Sequence, residues 1–409
     1  MINEINTEKL FAFYKDQLEN NFLKFWDKAI DREYGGIYTC YNNYGDKLIS
    51  KDKYIWSQGR FVWLWAKVLS LIENGLIIGD RNKYQTELEM GFNFIKDNSF
   101  LGNGNCAYLT DRQGNIKIAD TSIYVDCFVL LGFAAYIGTT GEIQYIDKMM
   151  RHYEKTFSRI ESGNYKTDPY PIPAKYMPHG VNMMMLHVTT EIYKALNEFH
   201  DARIELLTER IKNYISIITE TLCDNEYRII EMLPSESEDT VFSRHFTPGH
   251  VLESMWFIMD AYNELEITNG YDKILNIIKK TYKLGWDKEY GGILRHVDKE
   301  GGKPKGEQIG EQYEKLILDT WDTKLWWPHS EALYTTLLMA KTTGDIEMEE
   351  LYIKTHNYVF QTFPNHDLGE WIQIRDRMGK PVEKVVALPV KDPYHIIRNF
   401  MLNLELLNS

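Results

Sequence analysis

Cysteine and long apolar runs are scarce in this sequence. Its 409 residues include four cysteines, Cys40, Cys106, Cys127 and Cys223, without a CxxC pair, so neither a zinc site nor a redox pair is indicated. No apolar run approaches the roughly 18 residues of a membrane span. Residues 1–6 lack the basic and apolar segments of a signal peptide. We therefore expect a reduced, cytoplasmic protein with no metal site and no membrane partner.

Positive charge is also in short supply. The chain has 46 Lys and Arg against 59 Asp and Glu, and its formal net charge is −13. Domains that bind nucleic acid usually carry a basic face, and no cluster of basic residues alternates with aromatics here, so we expect no nucleic-acid partner. The phosphate-binding patterns GxxxxGK[ST] and GxGxxG are absent, as are HExxH and GxSxG. These absences argue against several large enzyme classes.

Helical periodicity dominates what is present. It predicts about twelve helices, and several of the even-numbered ones are the more apolar. Helices that are apolar on most faces are buried, whereas striped helices lie outside. Alternating inner and outer helices predict an all-α fold, an (α/α)6 barrel, as a single domain over residues 1–409. The predicted helices span roughly 7–28, 57–74, 81–98, 120–138, 141–160, 180–198, 201–222, 249–267, 271–285, 326–343, 345–363 and 392–407.

A short pattern recurs between the helices. The residues Glu-Tyr-Gly-Gly-Ile occur at 33–37 and again at 289–293. Turns of the form Asp/Asn-x-x-Gly, which suit β-hairpins, lie at 42–45, 111–114, 298–301 and 376–379. Each falls between an odd-numbered helix and the next even one, which indicates an internal repeat. We expect short β-hairpins at the N-terminal end of the inner helices, where they would wall a pocket.

Two helix starts carry the most informative polar residues. In the stretch 247–256, Pro-Gly ends a loop and a helix follows. His250, Glu253 and Trp256 then recur every three residues and share one helix face. A similar cluster, Asp392–Arg398, opens the last helix, where the aspartate is expected to be the N-cap.

Parallel inner helices would bring these polar residues to one end of the barrel. Convergence of unusual polar side chains at the start of several inner helices is the main sequence argument for a site. The candidate residues are Arg60, Asn182, His187, His250, Glu253, Trp256, Trp327, Glu331, Trp371, His395 and Arg398.

The residue types suit proton transfer. A helix N-terminus disfavours imidazolium, so we expect His250 and His395 to stay neutral near pH 7, as a base requires. Glu253 is expected to fix the tautomer of His250, while Arg60 and Arg398 would stabilise a developing oxyanion. Two histidines on opposite sides of a pocket can remove a proton from one face of a carbon and return one to the other.

Other roles for these residues stay open. Trp371 suits a buried core position as well as a sugar-binding wall. Glu253, Glu331 and Glu370 could supply the carboxylate pair of a glycoside hydrolase. A sugar-binding barrel without catalysis is a further reading.

Six motifs occur in order along nearly the whole chain. They are DREYGG at 31–36, KYIWSQGR at 53–60, PGHVLE at 248–253, LWWPHSE at 325–331, GEW at 369–371 and PVKDPYHIIR at 389–398. Together they resemble the N-acylglucosamine 2-epimerase superfamily, which includes renin-binding-protein-type epimerases, cellobiose 2-epimerases and mannose isomerases. The fold that this resemblance implies is the same (α/α)6 barrel.

The resemblance also implies a reaction. Its chemistry is removal of the C2 proton of an open-chain aldose through an enediolate, with His250 and His395 as the acid/base pair. By the same resemblance Glu253 partners His250, Arg60 grips the carbonyl oxygen, and residues 327 and 331 belong to the pocket. No metal or redox cofactor is implied. ATP activates some members and is a candidate activator, and a homodimer is a candidate assembly.

The expected substrate follows from the branch that the motifs resemble. KYIWSQGR and WWPHSE are similar to the acylglucosamine branch, as is the run Met183–Leu186. Interconversion of N-acetylglucosamine and N-acetylmannosamine is therefore the expected activity. A mannose-type aldose–ketose isomerase and an epimerase of mannose or cellobiose remain alternatives. His187 resembles a cellobiose-epimerase histidine, but its spacing to Glu191 differs by one.

Overall fold

The computed structural model describes residues 6–386 and 388–409. Residues 1–5, which entered the signal-peptide argument, lie outside it. The helices in chain order are α1 (Thr7–Asp16), α2 (Leu23–Asp27), α3 (Ile55–Glu73), α4 (Arg81–Asn98), α5 (Ile123–Thr140), α6 (Ile146–Glu161), α7 (His179–Asn197), α8 (Ile204–Ser216), α9 (Val241–Arg244), α10 (Pro248–Glu264), α11 (Tyr271–Gly285), α12 (Gln312–Thr320), α13 (Trp326–Thr343), α14 (Ile346–Thr362) and α15 (Tyr394–Asn408). A π-helical segment, Gln17–Phe22, joins α1 to α2, and another, Ile217–Thr221, extends α8.

Six apolar helices form a closed inner ring. In order around the ring they are α3, α5, α7, α10, α13 and α15, and α15 packs back against α3. Each also packs against an outer helix, and α1 takes that place beside α15. The inner helices are buried on most faces because their sequences are apolar on most faces. The structure is an (α/α)6 barrel, which confirms the sequence prediction.

Local sequence signals set several helix ends. The side chain of Asp80 accepts hydrogen bonds at the N-terminus of α4, and Asp345 does the same for α14. Helices α5 and α13 end at Gly141 and Gly344, whose φ angles of 73° and 71° suit glycine at a C-terminal cap.

Eleven short strands in the described ranges join the insertions between helices. They are β1 (Lys53–Tyr54), β2 (Leu109–Thr110), β3 (Ile116–Ile118), β4 (Tyr176–Pro178), β5 (Met232–Pro234), β6 (His245–Phe246), β7 (Val297–Asp298), β8 (Lys324–Leu325), β9 (Pro364–Asn365), β10 (Glu370–Trp371) and β11 (Ile374–Arg375). All pairings are antiparallel: β1–β2–β3, β4–β5, β6–β7, β8–β11 and β9–β10. Most join one insertion to the next, so the insertions form a continuous rim.

The two copies of the Glu-Tyr-Gly-Gly-Ile motif have the same local structure. Before each copy stands a buried aspartate that binds one buried lysine and one arginine. Oδ2 of Asp31 lies 3.0 Å from Nζ of Lys53, and Oδ2 of Asp287 lies 3.1 Å from Nζ of Lys324. The arginines are Arg112 and Arg377, at 2.9 and 2.8 Å. These ion pairs fix the rim to the strand that leads into an inner helix.

Sequence reasoning located the helices well and missed two. Each of the twelve predicted helices has a counterpart, and three of the four Asp/Asn-x-x-Gly turns, at 42–45, 111–114 and 376–379, close hairpins or bridges. The fourth, at 298–301, is a tight turn in which the N–H of Gly301 donates to the carbonyl of Asp298 at 2.7 Å, and β7 beside it pairs with β6. Helix α9, of four residues, and helix α12, of nine, were not predicted because each lies inside a longer insertion between barrel helices. Helix α5 is long and apolar enough to cross a membrane by composition, but 72% of it is buried, as a barrel's core helix must be.

Candidate active site

A cavity of about 140 Å³ opens at the N-terminal end of the inner helices. Its wall combines a few polar groups with many aromatic and apolar ones, which is the usual composition of a small-molecule site. The polar groups include Arg60, His250, Glu253, Asp392 and His395. The aromatic wall consists of Trp56, Tyr124, Phe128, Tyr170, Tyr313, Trp326 and Trp327.

His250 stands in the first turn of α10, and a buried carboxylate holds its ring. Nδ1 of His250 lies 2.8 Å from Oε1 of Glu231, which immediately precedes β5. The pairing of β4 with β5 fixes Glu231 there, because the backbone N–H of His179 donates to the carbonyl of Glu231 at 2.9 Å. With Nδ1 engaged, Nε2 of His250 is the ring nitrogen available to the cavity.

The partner of His250 corrects the sequence expectation. Glu253 was expected to orient this ring, but Glu231 occupies that place. Burial lowers the pKa of His250, yet the charge of Glu231 and its hydrogen bond outweigh burial, so the net pKa lies above its ordinary value. This net direction is opposite to the neutral state expected from the helix N-terminus. The nearby carboxylate therefore dominates over the helix dipole at His250.

His395 is held in the same manner on the other side of the cavity. Its Nδ1 lies 2.7 Å from Oε1 of Glu331, in the second turn of α13. Nη2 of Arg398 binds the same oxygen at 2.7 Å and Oε1 of Glu253 at 2.6 Å. Burial raises the pKa of Glu331, but Arg398 and His395 lower it to about 2. Glu331 is therefore a carboxylate that orients His395, and Trp256 donates to its second oxygen at 2.7 Å.

Arg60 projects from α3 toward His395. Its Nη2 is 3.4 Å from Nε2 of His395, and its Nη1 is 3.2 Å from Oδ1 of Asp392. The guanidinium lies over the rings of Phe128 and Tyr394 at 4.1 and 4.8 Å. Asp392 was expected to cap the last helix, but α15 begins at Tyr394 without a side-chain cap. The aspartate instead positions a cation beside the histidine.

Trp327 lies between the two histidines. Its ring centroid is 5.1 Å from that of His250 and 5.6 Å from that of His395. Gly249 makes this packing possible, since a Cβ there would meet Cη2 of Trp327 at 2.6 Å. The two imidazoles thus face one cavity across a shared indole.

The site's carboxylates also resemble a metal-ligand set. Ligand atoms of Glu253, Glu331 and His395 lie within 4.8 Å of one another. However, Arg398 already lies between the two carboxylates and supplies the positive charge that a cation would bring. This set is better described as an ion-paired network than as a metal site.

The chain is similar to known proteins over nearly its whole length. The family model described as N-acylglucosamine 2-epimerase (GlcNAc 2-epimerase) matches residues 36–399. The chain belongs to the N-acylglucosamine 2-epimerase family. The N-acylglucosamine 2-epimerase of Mus musculus is 25% identical, and the match covers 97% of this chain and 92% of that protein.

Solved structures share the family's barrel. The cellobiose 2-epimerase of Bacillus thermoamylovorans superposes with a TM-score of 0.76 at 18% identity, covering 97% of this chain and 99% of that one. A D-mannose isomerase superposes with a TM-score of 0.78 at 16% identity, covering 96% and 97%. At these identities the likeness concerns the fold alone.

Several candidate residues lie behind the wall of the cavity rather than on it. Arg398 and Glu331 are fully buried and act on His395 from behind. Trp371 is 1% exposed and packs in the core against Phe363. Asn182, in the first turn of α7, donates to the carbonyl of Pro178, the last residue of β4. These placements correct the expectation that all four contact a substrate.

His187 and Trp256 lie still farther away. Both line a second cavity, of about 330 Å³, toward the C-terminal ends of the inner helices. Nε2 of His187 lies 3.3 Å from the hydroxyl of Tyr394, and its ring stacks on Phe257. His187 and Trp256 are each eight residues beyond the first residue of their helix, so a rise of about 1.5 Å per residue places them roughly 12 Å down the barrel.

Sequence reasoning missed the residues that the insertions bring to the cavity. Glu231 precedes a strand rather than opening a helix. His179 is buried beside Glu231, and Arg295 lines the cavity while its Nη2 donates to the carbonyl of Val386 at 2.9 Å. The available signal was a charged residue inside the apolar run Ile229–Pro234.

Proposed function

We propose that this protein is a sugar 2-epimerase that interconverts N-acetylglucosamine and N-acetylmannosamine. The observation that carries the proposal is the pair His250 and His395, which face one cavity across Trp327. Each ring has its Nδ1 on a buried carboxylate, so each Nε2 is available to exchange a proton with a substrate. Membership of the N-acylglucosamine 2-epimerase family supports the same substrate class.

The proposed reaction moves one proton off C2 and another onto it. With the sugar in its open-chain form, Nε2 of one histidine takes the C2 proton, and the electron pair moves to the carbonyl oxygen to give an enolate that keeps the acetamido group on C2. The second histidine then delivers a proton to the opposite face of C2 and the carbonyl re-forms. The reverse reaction exchanges the two roles. Glu231 and Glu331 stabilise the imidazolium that forms on each side.

Arg60 is proposed to stabilise the enolate oxygen. It is the cation nearest to His395 Nε2 on the cavity wall, and its Nε has no hydrogen-bond partner among the described residues. A guanidinium fixed by Asp392 and by aromatic rings is preorganised for a developing negative charge. Trp327 is proposed to support one face of the sugar. No metal or redox cofactor takes part in these steps.

A glycoside hydrolase fits the site less well. Of the three glutamates that were considered for a carboxylate pair, only Glu253 lines the cavity, and it is bound to Arg398. Glu331 and Glu370 are buried behind the wall and already accept hydrogen bonds from tryptophan side chains. A pair of carboxyl groups flanking a glycosidic bond would need both groups at the cavity.

An aldose–ketose isomerase is the second candidate, because its reaction also begins with removal of the C2 proton of an open-chain sugar by a histidine. Its substrate has a hydroxyl group on C2, so the intermediate is an enediolate, and the proton returns to C1. The two activities therefore share His250, His395 and Arg60 and differ in which carbon the second proton reaches.

Several further properties are proposals on the same basis. The chain is proposed to act as one catalytic domain, because helices α1 and α15 from its two ends pack together. The four cysteines are free, which suits the expected cytoplasmic location. ATP activation and a homodimer stay predictions from the family resemblance. Adding ATP to the assay and measuring mass in solution test them.

Proton exchange with solvent tests the proposed function. N-acetylmannosamine, mannose and cellobiose are incubated separately with the protein in D2O, and the C2–H signal is followed by NMR. We expect loss of the C2–H signal of N-acetylmannosamine together with appearance of deuterated N-acetylglucosamine. A ketose product would favour the isomerase. Cleavage of cellobiose without exchange at C2 would overturn both.

A further inference from the structure

A second histidine lies on the far side of the carboxylate that holds His250. His179, the first residue of α7, is fully buried. Its Nδ1 is 3.6 Å from Oε2 of Glu231, while Oε1 of the same carboxylate binds Nδ1 of His250 at 2.8 Å. The ring centroids of the two histidines are 6.3 Å apart. One buried carboxylate is therefore shared by two imidazoles, and only His250 reaches the cavity.

The contacts of His179 restrict where its protons lie. Nε2 is 3.1 Å from Oγ of Ser254, and that hydroxyl is within 3.0 Å of the carbonyl of Val251, to which it can donate. In that arrangement Nε2 must carry a proton. Nδ1 of His179 and Oε2 of Glu231 are buried and have no hydrogen-bond partner in the described part of the chain, and each is the other's nearest charged or polar neighbour among the ion pairs, at 3.6 Å. Without a proton between them, two lone pairs would face each other in a buried site, which is unfavourable.

Burial raises the pKa of Glu231, but the charge of His250 and the contacts with His179 and His250 hold it well below its ordinary value, so Glu231 is ionised. Each favourable arrangement then puts a proton between Nδ1 of His179 and Oε2 of Glu231. His179 can be an imidazolium, or it can be the neutral tautomer that donates from Nδ1 if Ser254 donates to Nε2. In both cases the proton draws negative charge away from the oxygen that binds His250, so the effect on His250 has the same sign.

We propose that His179 is a positioning residue that acts through Glu231 to keep His250 from becoming too strong a base. This inference rests on the proposed role of His250 in proton transfer. An unmoderated carboxylate would hold His250 protonated and unable to remove a proton. A carboxylate that already shares a proton with His179 still orients the ring but binds the imidazolium less tightly. His250 can then both take and release a proton, as a reversible epimerisation requires.

Other ionisable groups face His179, Glu231 and His250, and they also influence proton binding by these residues. They do not replace His179, because none of them forms an ion pair or a hydrogen bond with either oxygen of Glu231 in the described ranges, whereas Nδ1 of His179 lies 3.6 Å from Oε2. The groups that act on Glu231 or His250 from the surrounding elements are Tyr124, His245, Glu253, Arg295, His296 and Tyr313.

The test measures proton binding at His250 directly, in the absence of any sugar. The full-length protein is labelled with 13C at Cε1 of histidine, and the signal of His250 is assigned by its loss in His250→Gln. Its pH titration is compared in wild type, His179→Phe and His179→Asn. Phenylalanine has a ring of similar volume but no N–H group that could donate to Glu231. Asparagine can place an N–H near the position of Nδ1.

We expect His179→Phe to make His250 bind its proton about tenfold more tightly, and His179→Asn to restore part of the difference. His356→Gln, which changes a histidine packed between Phe13 and Phe360, should leave the titration unchanged. Equal titrations of His250 in wild type and His179→Phe would overturn the proposal. So would weaker proton binding in His179→Phe.

A wild-type measurement keeps the proposal testable if His179→Phe fails to fold. The 15N shifts of His179 must show a proton on, or a strong hydrogen bond to, Nδ1; a free Nδ1 lone pair would contradict it. Because these readouts need no substrate, they succeed or fail independently of whether the protein is an epimerase.

Discussion

Glu231→Gln is the substitution that most sharply separates orientation from charge at His250. Glutamine has nearly the same size and keeps an oxygen that can accept from Nδ1. It removes the negative charge that lies 2.8 Å from the ring on a 5% exposed side chain. Hydrogen bonds to charged groups contribute about 1.5–3 kcal/mol. Since about 1.36 kcal/mol corresponds to a tenfold change in rate, we expect turnover to fall roughly 10- to 150-fold.

The cause of this loss is a weaker base. When His250 takes the C2 proton it becomes an imidazolium, and in the variant that cation has no counter-charge while burial opposes it. Burial then determines the direction, so the pKa of His250 should fall below its ordinary value. The assay is the rate of C2–H exchange of N-acetylmannosamine in D2O across pH. The loss should come from kcat, with little change in KM.

A matched control uses another buried glutamate. Glu87 is 3% exposed, binds the indole N–H of Trp65 at 2.9 Å, and lies on the outer helix α4. Glu87→Gln makes the same chemical change away from the cavity, so its exchange rate should remain near that of the wild type. A rate for Glu231→Gln within about twofold of Glu87→Gln would refute the role given to the carboxylate.

Two further substitutions probe the packing and the ion pairs of the site. Gly249→Ala is expected to displace Trp327 and lower kcat/KM by about 100-fold; Gly102→Ala, where a Cβ meets nothing within 4 Å, should leave steady-state kinetics unchanged. The pKa of Glu331 is depressed from 4.5 to about 2, so its contribution to stability, roughly 3 kcal/mol, is present above pH 4.5 and lost as pH falls toward 2. The free energy of unfolding, measured in urea, should therefore fall less between pH 5 and pH 3 for Glu331→Gln than for the wild type. Equal decreases in the two proteins would contradict the assignment.

The barrel and the approximate place of the site were predictable from the sequence. Inner and outer helices differ in how much of their surface is apolar, and this difference is visible in the sequence alone. The position of His250 and His395 at helix starts followed from Pro-Gly and Asp-Pro signals. Because inner helices of a barrel are parallel, residues at their first turns converge whatever the details of packing.

The partners of the two histidines were not predictable in the same way. Glu253 shares a helix face with His250, which made it the expected partner, but three residues along α10 it meets Arg398 from α15 instead. Glu231 reaches His250 only because β4 and β5 pair across two insertions. Strand pairing between distant insertions has no local sequence period, so the pattern of residues around Glu231 gave no sign of its partner.

The sequence prediction also did not take account of how far each residue lies from the start of its helix. His187 and Glu331 both lie on inner helices and were both placed in the pocket. The first lies more than two turns from the start of α7, whereas the second lies between one and two turns into α13 and reaches His395. The predicted starts of these two helices, 180 and 326, lie within one residue of the observed starts, so counting turns from them would have separated the two residues.

The proposal that His250 and His395 act on opposite faces of C2 has one direct test. Each epimer is supplied separately to His395→Gln in D2O, and exchange of the C2 proton is measured. With His250 alone, one epimer should exchange its C2 proton for deuterium and keep its configuration, while the other epimer should not exchange. Interconversion of the epimers should be abolished. Exchange of both epimers at similar rates, or continued interconversion in His395→Gln, would contradict the assignment of one histidine to each face of C2.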